Sequence, residues 1–280
     1  MNAIATSRVL VLGATGKTGS RVARKLIERG IPVRTAARKK ADISFDWSEP
    51  STFAAALRGV RAVYLVSPVM RVDFAPVVCH FLDEAERAGV QHVTYLSAYG
   101  VERAPPQVAL RAVELDLASR RSLSHSIVRP AWFMQNFSET FLKPVNDEIV
   151  VPCGAGAESF VSAEDIAAVA AATLIDPARH TGRAYAPTGR EALTFEEAAR
   201  LISAAVGRKI SYRDVDGDTW IGAMTAAGVP SEYGDVLRTL TGTIATGHGS
   251  RPNDDVLEVT GAQPIRFEEF AVRTAGAWCT

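Results

Sequence analysis

Gly13, Gly16 and Gly19 stand three residues apart, between the apolar run Val9-Leu10-Val11-Leu12 and a helical pattern with Val22, Ala23, Leu26 and Ile27 on one face. Glycines at that spacing suit a turn that holds a diphosphate. Gly13 can take the left-handed angles that end a strand abruptly, Gly16 leaves room for an anion against the backbone, and Gly19 lets the helix pack closely on the strand. The free amides of the first helical turn, with the positive end of the helix dipole, would then face that anion. A glycine triplet alone also serves ordinary turns; the strand before it and the helix after it favour a dinucleotide site.

Arg38, Lys39 and Lys40 follow a short strand read over 32–36. In a dinucleotide fold the end of the second strand lies beside the adenosine ribose, where an acidic residue accepts from the free 2′-hydroxyl of NAD. Here cations stand instead, and they suit the 2′-phosphate of NADP through charge-assisted bonds. NADP(H) is therefore expected in preference to NAD(H), with a solvated basic turn as the structural alternative. Asp46 lies in a third strand read over 43–47, placed either to accept from the adenine amino group or to close a turn.

Metal and thiol chemistry have little support. Cys79, Cys153 and Cys279 are far apart and odd in number, and the five histidines form no ligand spacing, so no metal is expected. Basic and acidic side chains balance at 31 each, which leaves no global field for a nucleic acid or a membrane surface. The first ten residues lack a basic segment followed by an apolar core, and no stretch approaches the length of a bilayer span. A cytoplasmic protein acting on a small molecule, as a monomer or homodimer, is expected.

These residues need a frame. The patterning predicts strands over 61–66, 93–97 and 126–128, alternating with helices over 48–57, 74–88 and 108–121. Such alternation implies an α/β fold, a Rossmann-like doubly wound parallel sheet. Beyond residue 144 the pattern loosens: short strands over 149–151, 184–186 and 210–212, an alanine-rich helix capped by Ser162 and reaching 175, and helices over 195–206, 219–227, 233–240 and 267–277. The expected division is a dinucleotide-binding domain over 1–150, with returning elements from about 160–186, and a smaller, mostly helical C-terminal substrate lobe over 187–280.

With the motifs GATGKTG (13–19), YLVSP (64–68), YLSA (95–98), VRPAWFMQNF (128–137) and FVSAEDIA (160–167), the chain resembles the NmrA-like branch of the atypical short-chain dehydrogenase/reductases. It is similar in flavour to reductases of ergot-alkaloid type and to NAD(P)H quinone oxidoreductases. The resemblance implies that Gly13, Thr15, Gly16, Lys17, Thr18 and Gly19 surround the diphosphate. It implies Arg38 and Lys39 at the ribose phosphate and Asp46 near adenine. Ser67 and Pro68 would line the riboses, Ser97, Ala98 and Tyr99 would lie close to the nicotinamide, and Pro130, Trp132 and Phe133 would continue that wall. One departure bears on chemistry. The Tyr-x-x-x-Lys pair of ordinary members, in which tyrosine donates a proton to a carbonyl oxygen, is missing from 107–121. Many relatives hold a lysine or histidine three residues before a glutamate there, and Glu114 places Arg111 at that position.

Two functions of different class follow. The first is an NADPH-dependent reductase that transfers a hydride to a small conjugated acceptor of imine, iminium or quinone type, which tolerates the missing tyrosine. Trp132, Phe133, Met134, Phe137, Phe160, Trp220 and Tyr233 are the candidate substrate walls, and Tyr99 and Arg111 the candidate catalytic side chains. The second is a non-catalytic NADP(H)-binding redox sensor of the regulatory NmrA type.

Overall fold

The computed structural model describes residues 8–279, so all but the last three of the ten opening residues read for a leader lie outside the described residues. The chain forms two compact units. The first takes the chain through Val69, then Asp73–Pro130 and Ile166–Ala186; the second takes Met70–Val72, Ala131–Asp165 and the chain from Pro187 onward. The chain therefore leaves the first unit after Pro130 and returns at Ile166.

In order, the chain runs through β1 (Arg8–Leu12), α1 (Gly19–Glu28), β2 (Val33–Ala37), β3 (Ile43–Ser44), α2 (Phe53–Leu57), β4 (Val60–Val66), α3 (Ala75–Arg87), β5 (His92–Leu96), α4 (Ala109–Ser119) and β6 (Ser124–Val128). Then come α5 (Asn136–Glu139), β7 (Glu148–Val150), β8 (Ala157–Glu158), α6 (Ala163–Ile175), α7 (Pro177–His180) and β9 (Ala184–Tyr185). The first unit holds one sheet of order β3-β2-β1-β4-β5-β6-β9, every neighbouring pair parallel. Strand order reverses between β1 and β4, the point at which an open α/β sheet leaves a crevice at its C-terminal edge. Val9 to Leu12 and Val63 to Leu65 have no accessible surface. That explains their unbroken apolar runs: a central parallel strand is covered on both faces.

The third strand is shorter than its sequence suggests. It stops at Ser44 because Phe45 turns into the core, its ring 5.2 Å from Phe53 and 5.6 Å from Phe81. Asp46 then accepts from the Ser48 amide at 2.9 Å and the Ser48 hydroxyl at 2.7 Å, which closes a turn.

The second unit adds β10 (Leu193–Thr194), α8 (Phe195–Val206), β11 (Ser211–Arg213), α9 (Gly217–Ala226), α10 (Ser231–Ala245), α11 (Asp255–Thr260) and α12 (Phe267–Thr274). Its strands form two pairs, β10 antiparallel to β8 and β11 parallel to β7. The Thr194 and Glu197 side chains close a reciprocal cap at the start of α8, and Gly207 ends it at φ +68°. Rings form the core: Phe137 lies 5.0 Å from Phe160 and 5.2 Å from Phe267, and Phe160 lies 5.3 Å from Phe195. No helix among the described residues is long and apolar enough to cross a membrane.

Candidate functional site

The glycine turn is built as an anion cradle. Gly13 sits at φ +61°, and its carbonyl accepts from the Gly16 amide at 2.8 Å. A Cβ on Gly19 would fall 2.2 Å from the Gly13 oxygen, so a side chain there would push α1 off β1. The amides of Thr15, Thr18 and Gly19 have no acceptor among the described residues. The first turn of α1 carries no acidic residue and no side-chain cap, so the positive end of its dipole is unopposed. Thr18 is buried, and the Tyr64 hydroxyl faces it without a well-formed hydrogen bond. Open amides, an unopposed dipole and an orphaned buried hydroxyl fit a dinucleotide diphosphate, with Thr15, Lys17 and Thr18 on the same turn as the three glycines.

Because the sheet is parallel, the ends of β2, β4, β5 and β6 share that edge. The Ala14 amide donates to Ala36 at 3.2 Å, tying the turn to the end of β2, where Arg38 and Lys39 follow, both exposed. Asp46 has one carboxylate oxygen engaged by Ser48, and those bonds hold its pKa down. After β4, the Ser67 hydroxyl lies 2.9 Å from that of buried Tyr95, and Pro68 follows. After β5, the Ser97 amide donates to Val128 at 2.8 Å and the Tyr99 amide to Pro130 at 3.0 Å. These bonds strap Ser97, Ala98 and Tyr99 to the end of β6.

Under Ser97 lies a buried cluster of which the sequence offers only one contact, that of Arg111 with Glu114 or Asp116. Glu114 is 1% exposed, and its carboxylate takes four hydrogen bonds. Arg129 binds it in a fork, Nε to Oε1 at 2.8 Å and Nη2 to Oε2 at 2.9 Å; Arg111 donates at 3.0 Å and the Ser97 hydroxyl at 2.7 Å. Burial opposes its charge, but the bonds from Arg129, Ser97 and Arg111 outweigh burial and keep the carboxyl below the usual range. Arg111 is thus a fixed charge tied to Glu114. The Ser97 proton is committed to the same carboxylate, so Ser97 offers an incoming group only its lone pairs. Tyr99 carries Arg103 over its ring at 5.8 Å, and its hydroxyl has no hydrogen-bond partner among the described residues. Neither a lysine nor another base engages it.

The seven residues read as substrate walls all belong to the second unit, and the structure divides them. Met134, Phe137, Phe160 and Trp220 are at most 2% exposed, and the Trp220 indole donates to the Val150 carbonyl at 2.9 Å. Side chains so fully enclosed pack in the core of the second unit and offer a ligand almost no surface, so these four are corrected to core packing. Trp132, Phe133 and Tyr233 keep accessible surface. Trp132 packs edge-on against Phe141 and Phe195, and its amide donates to Glu158 at 3.4 Å. Glu158 also escaped the sequence. It is 3% exposed, accepts from both the amide and the hydroxyl of Ser250, and makes no ion pair among the described residues. Burial raises its pKa against the pull of those bonds.

The chain is similar to named proteins along nearly its whole length. An uncharacterized oxidoreductase of Bacillus subtilis is 36% identical over 96% of both chains. Agroclavine dehydrogenase of Claviceps fusiformis is 30% identical, covering 96% of this chain and 98% of its own. The structure of an NADPH-dependent quinone oxidoreductase from Escherichia coli, complexed with NADPH, superimposes with a TM-score of 0.77 at 20% identity, over 95% of this chain and 99% of the other. The model of the NmrA-like family matches residues 5–246, a span that holds the glycine turn, all seven strands of the sheet and the Glu114 cluster. The chain belongs to the NmrA-like family.

Proposed function

We propose that this NAD(P)H-dependent oxidoreductase works with NADPH in preference to NADH and reduces a small conjugated acceptor of imine, iminium or quinone type. The chemistry a bound nicotinamide supplies is hydride transfer. Support for the cofactor preference comes from Arg38 and Lys39, exposed at the end of β2 where an acid would favour NADH. The reading of the acceptor rests on one observation: the hydroxyls at the end of β5 are not arranged to give up a proton. Ser97 is bound to an ionised Glu114, and Tyr99 has neither a lysine nor a relay beside it. An iminium carbon needs no proton when it accepts a hydride, and the oxyanion of a reduced quinone takes one from water.

The chain's own residues bind and orient. The turn from Gly13 to Gly19 takes the diphosphate, Arg38 and Lys39 the 2′-phosphate, and the strap of Ser97, Ala98 and Tyr99 with Pro130 fixes the wall at the strand ends. In the second unit, the substrate lobe in this reading, Trp132, Phe133 and Tyr233 make the acceptor's apolar contacts. The test is NADPH oxidation followed against a panel of quinones and cyclic imines. Turnover with at least one member is expected. NADPH binding without oxidation by any of them would replace this reading with the redox-sensor one.

A further inference from the structure

A second cationic site lies at the other end of the sheet. β1 runs five residues from Arg8 to the glycine turn, so Arg8 stands about 15 Å from that turn at ~3.3 Å per residue. Around Arg8, at the starts of β1 and β2 and the end of α2, is a cavity of about 550 Å³ lined by Arg34 and Arg58 as well, with one carboxylate, Asp42. Arg34 is anchored: its Nη1 donates to Ala56 at 2.9 Å and Arg58 at 2.6 Å, capping the carbonyl end of α2. The Arg8 and Arg58 guanidiniums have no hydrogen bond or ion pair among the described residues. Asp42, just before β3, accepts from the Thr35 amide of β2 at 2.9 Å, and the charges of Arg34 and Arg8 add to its bonds with Thr35 in lowering its pKa, so one carboxylate offsets the three cations only in part. Partial burial, then the nearness of Arg8 and Arg58, depress the Arg34 pKa against the opposing pull of Asp42. The glycine turn makes no use of any of them.

We infer that Arg8, Arg34 and Arg58 form a binding site for a phosphate-bearing small molecule, separate from the dinucleotide turn. Three guanidiniums around one cavity relieve their mutual repulsion by sharing a polyvalent anion, and their planar forks match phosphate oxygens. The free nitrogens of Arg34, held rigid by its cap, orient the anion, while Arg8 and Arg58 close on it from the sides. Val33 and Ile43 give the cavity an apolar patch for the body of such a molecule.

The test is calorimetric titration of tripolyphosphate into the full chain at low ionic strength, with and without saturating NADP. Arg8→Gln and Arg58→Gln are the informative variants, because both side chains are exposed and neither holds the fold; Arg34 is left in place. One binding event that survives NADP is expected, weakened about tenfold or more by each substitution and lost in the double variant. Lys39→Gln should leave it intact. An event removed by NADP reports the glycine turn instead and is scored apart, so failure of the cofactor reading leaves this result readable. Absence of a NADP-resistant event in the wild type, or equal affinity in the double variant, would overturn the assignment.

Discussion

Glu114 in the first unit and Glu158 in the second are both buried carboxylates, and they are held by opposite means. Glu114 meets two arginines and a hydroxyl, so it stays ionised and fixes the directions of Arg111, Arg129 and Ser97. Among the described residues Glu158 accepts from the amide and hydroxyl of Ser250 and the amide of Trp132, so burial dominates and its pKa rises. The first unit uses charge to orient side chains at a strand edge. The second uses a polar clasp within an aromatic core, where shape does the positioning.

Removing one side of the Glu114 cluster should produce the largest effect. Glu114→Ala leaves Arg129 and Arg111 without their partner, and breaking such a pair from one side costs about 3–5 kcal/mol. Urea unfolding would read it, and a loss below 1 kcal/mol would show that the cluster is solvated and not a fixed orienting device.

Next in size is an acid-sensitive element in the first unit. His92 is 1% exposed, its Nδ1 2.8 Å from the Ser124 hydroxyl and its Nε2 3.3 Å from that of Ser126. Burial first, then the nearby His125, His180 and Arg61, push its pKa down to about 4 from 6.5. The unfolded chain therefore binds the extra proton between those values. Stability from His92 is full above pH 6.5 and falls away towards pH 4, by about 3 kcal/mol in all. His92→Gln should flatten that slope; an unchanged slope would assign the acid sensitivity elsewhere.

The two glutamates should show opposite signs. Glu114, with its folded pKa depressed, contributes stability that is present at neutral pH and lost as pH falls through that pKa. Glu158, with its folded pKa raised, contributes stability that is full below about 4.5 and lost as pH rises through its folded value. Glu158→Gln should therefore gain on the wild type as pH rises above about 4.5. A gain in the opposite direction would mean that Glu158 is ionised and well satisfied. The smallest effect is expected from Tyr99→Phe. Acid catalysis is typically worth about 100- to 10,000-fold, and this substitution should cost much less, mainly in KM. A collapse of kcat with KM intact would make Tyr99 the acid of a carbonyl reductase.

The first unit was legible because its signals are local. Gly13, Gly16 and Gly19 announce the turn within seven residues, and each central strand is a continuous apolar run that can only lie between two layers. The third strand was overread because Phe45 and Trp47 look like strand residues, whereas their rings pack on Phe81, far along the chain. In the second unit the same residue types stand in the core and at the surface alike: Phe137 and Phe133 differ by four positions, yet only Phe133 keeps accessible surface. Glu114 and Glu158 escaped for a related reason. A carboxylate's partners decide its role, and Arg129 and Ser250 are brought to them by tertiary folding, with no trace in spacing. Arg111 was the exception, since a helix places it one turn from Glu114.

In the function proposed above, the edge bearing Gly13 to Gly19 and Arg38-Lys39 holds NADPH for reduction. Dissociation constants for NADPH and NADH, measured by fluorescence titration in the wild type and in the Arg38→Gln/Lys39→Gln double variant, test it most directly. The account predicts that the wild type holds NADPH more tightly, and that the double variant loses roughly 30- to 1,000-fold for NADPH with little change for NADH. Equal losses for the two cofactors, or a wild type that prefers NADH, would contradict it.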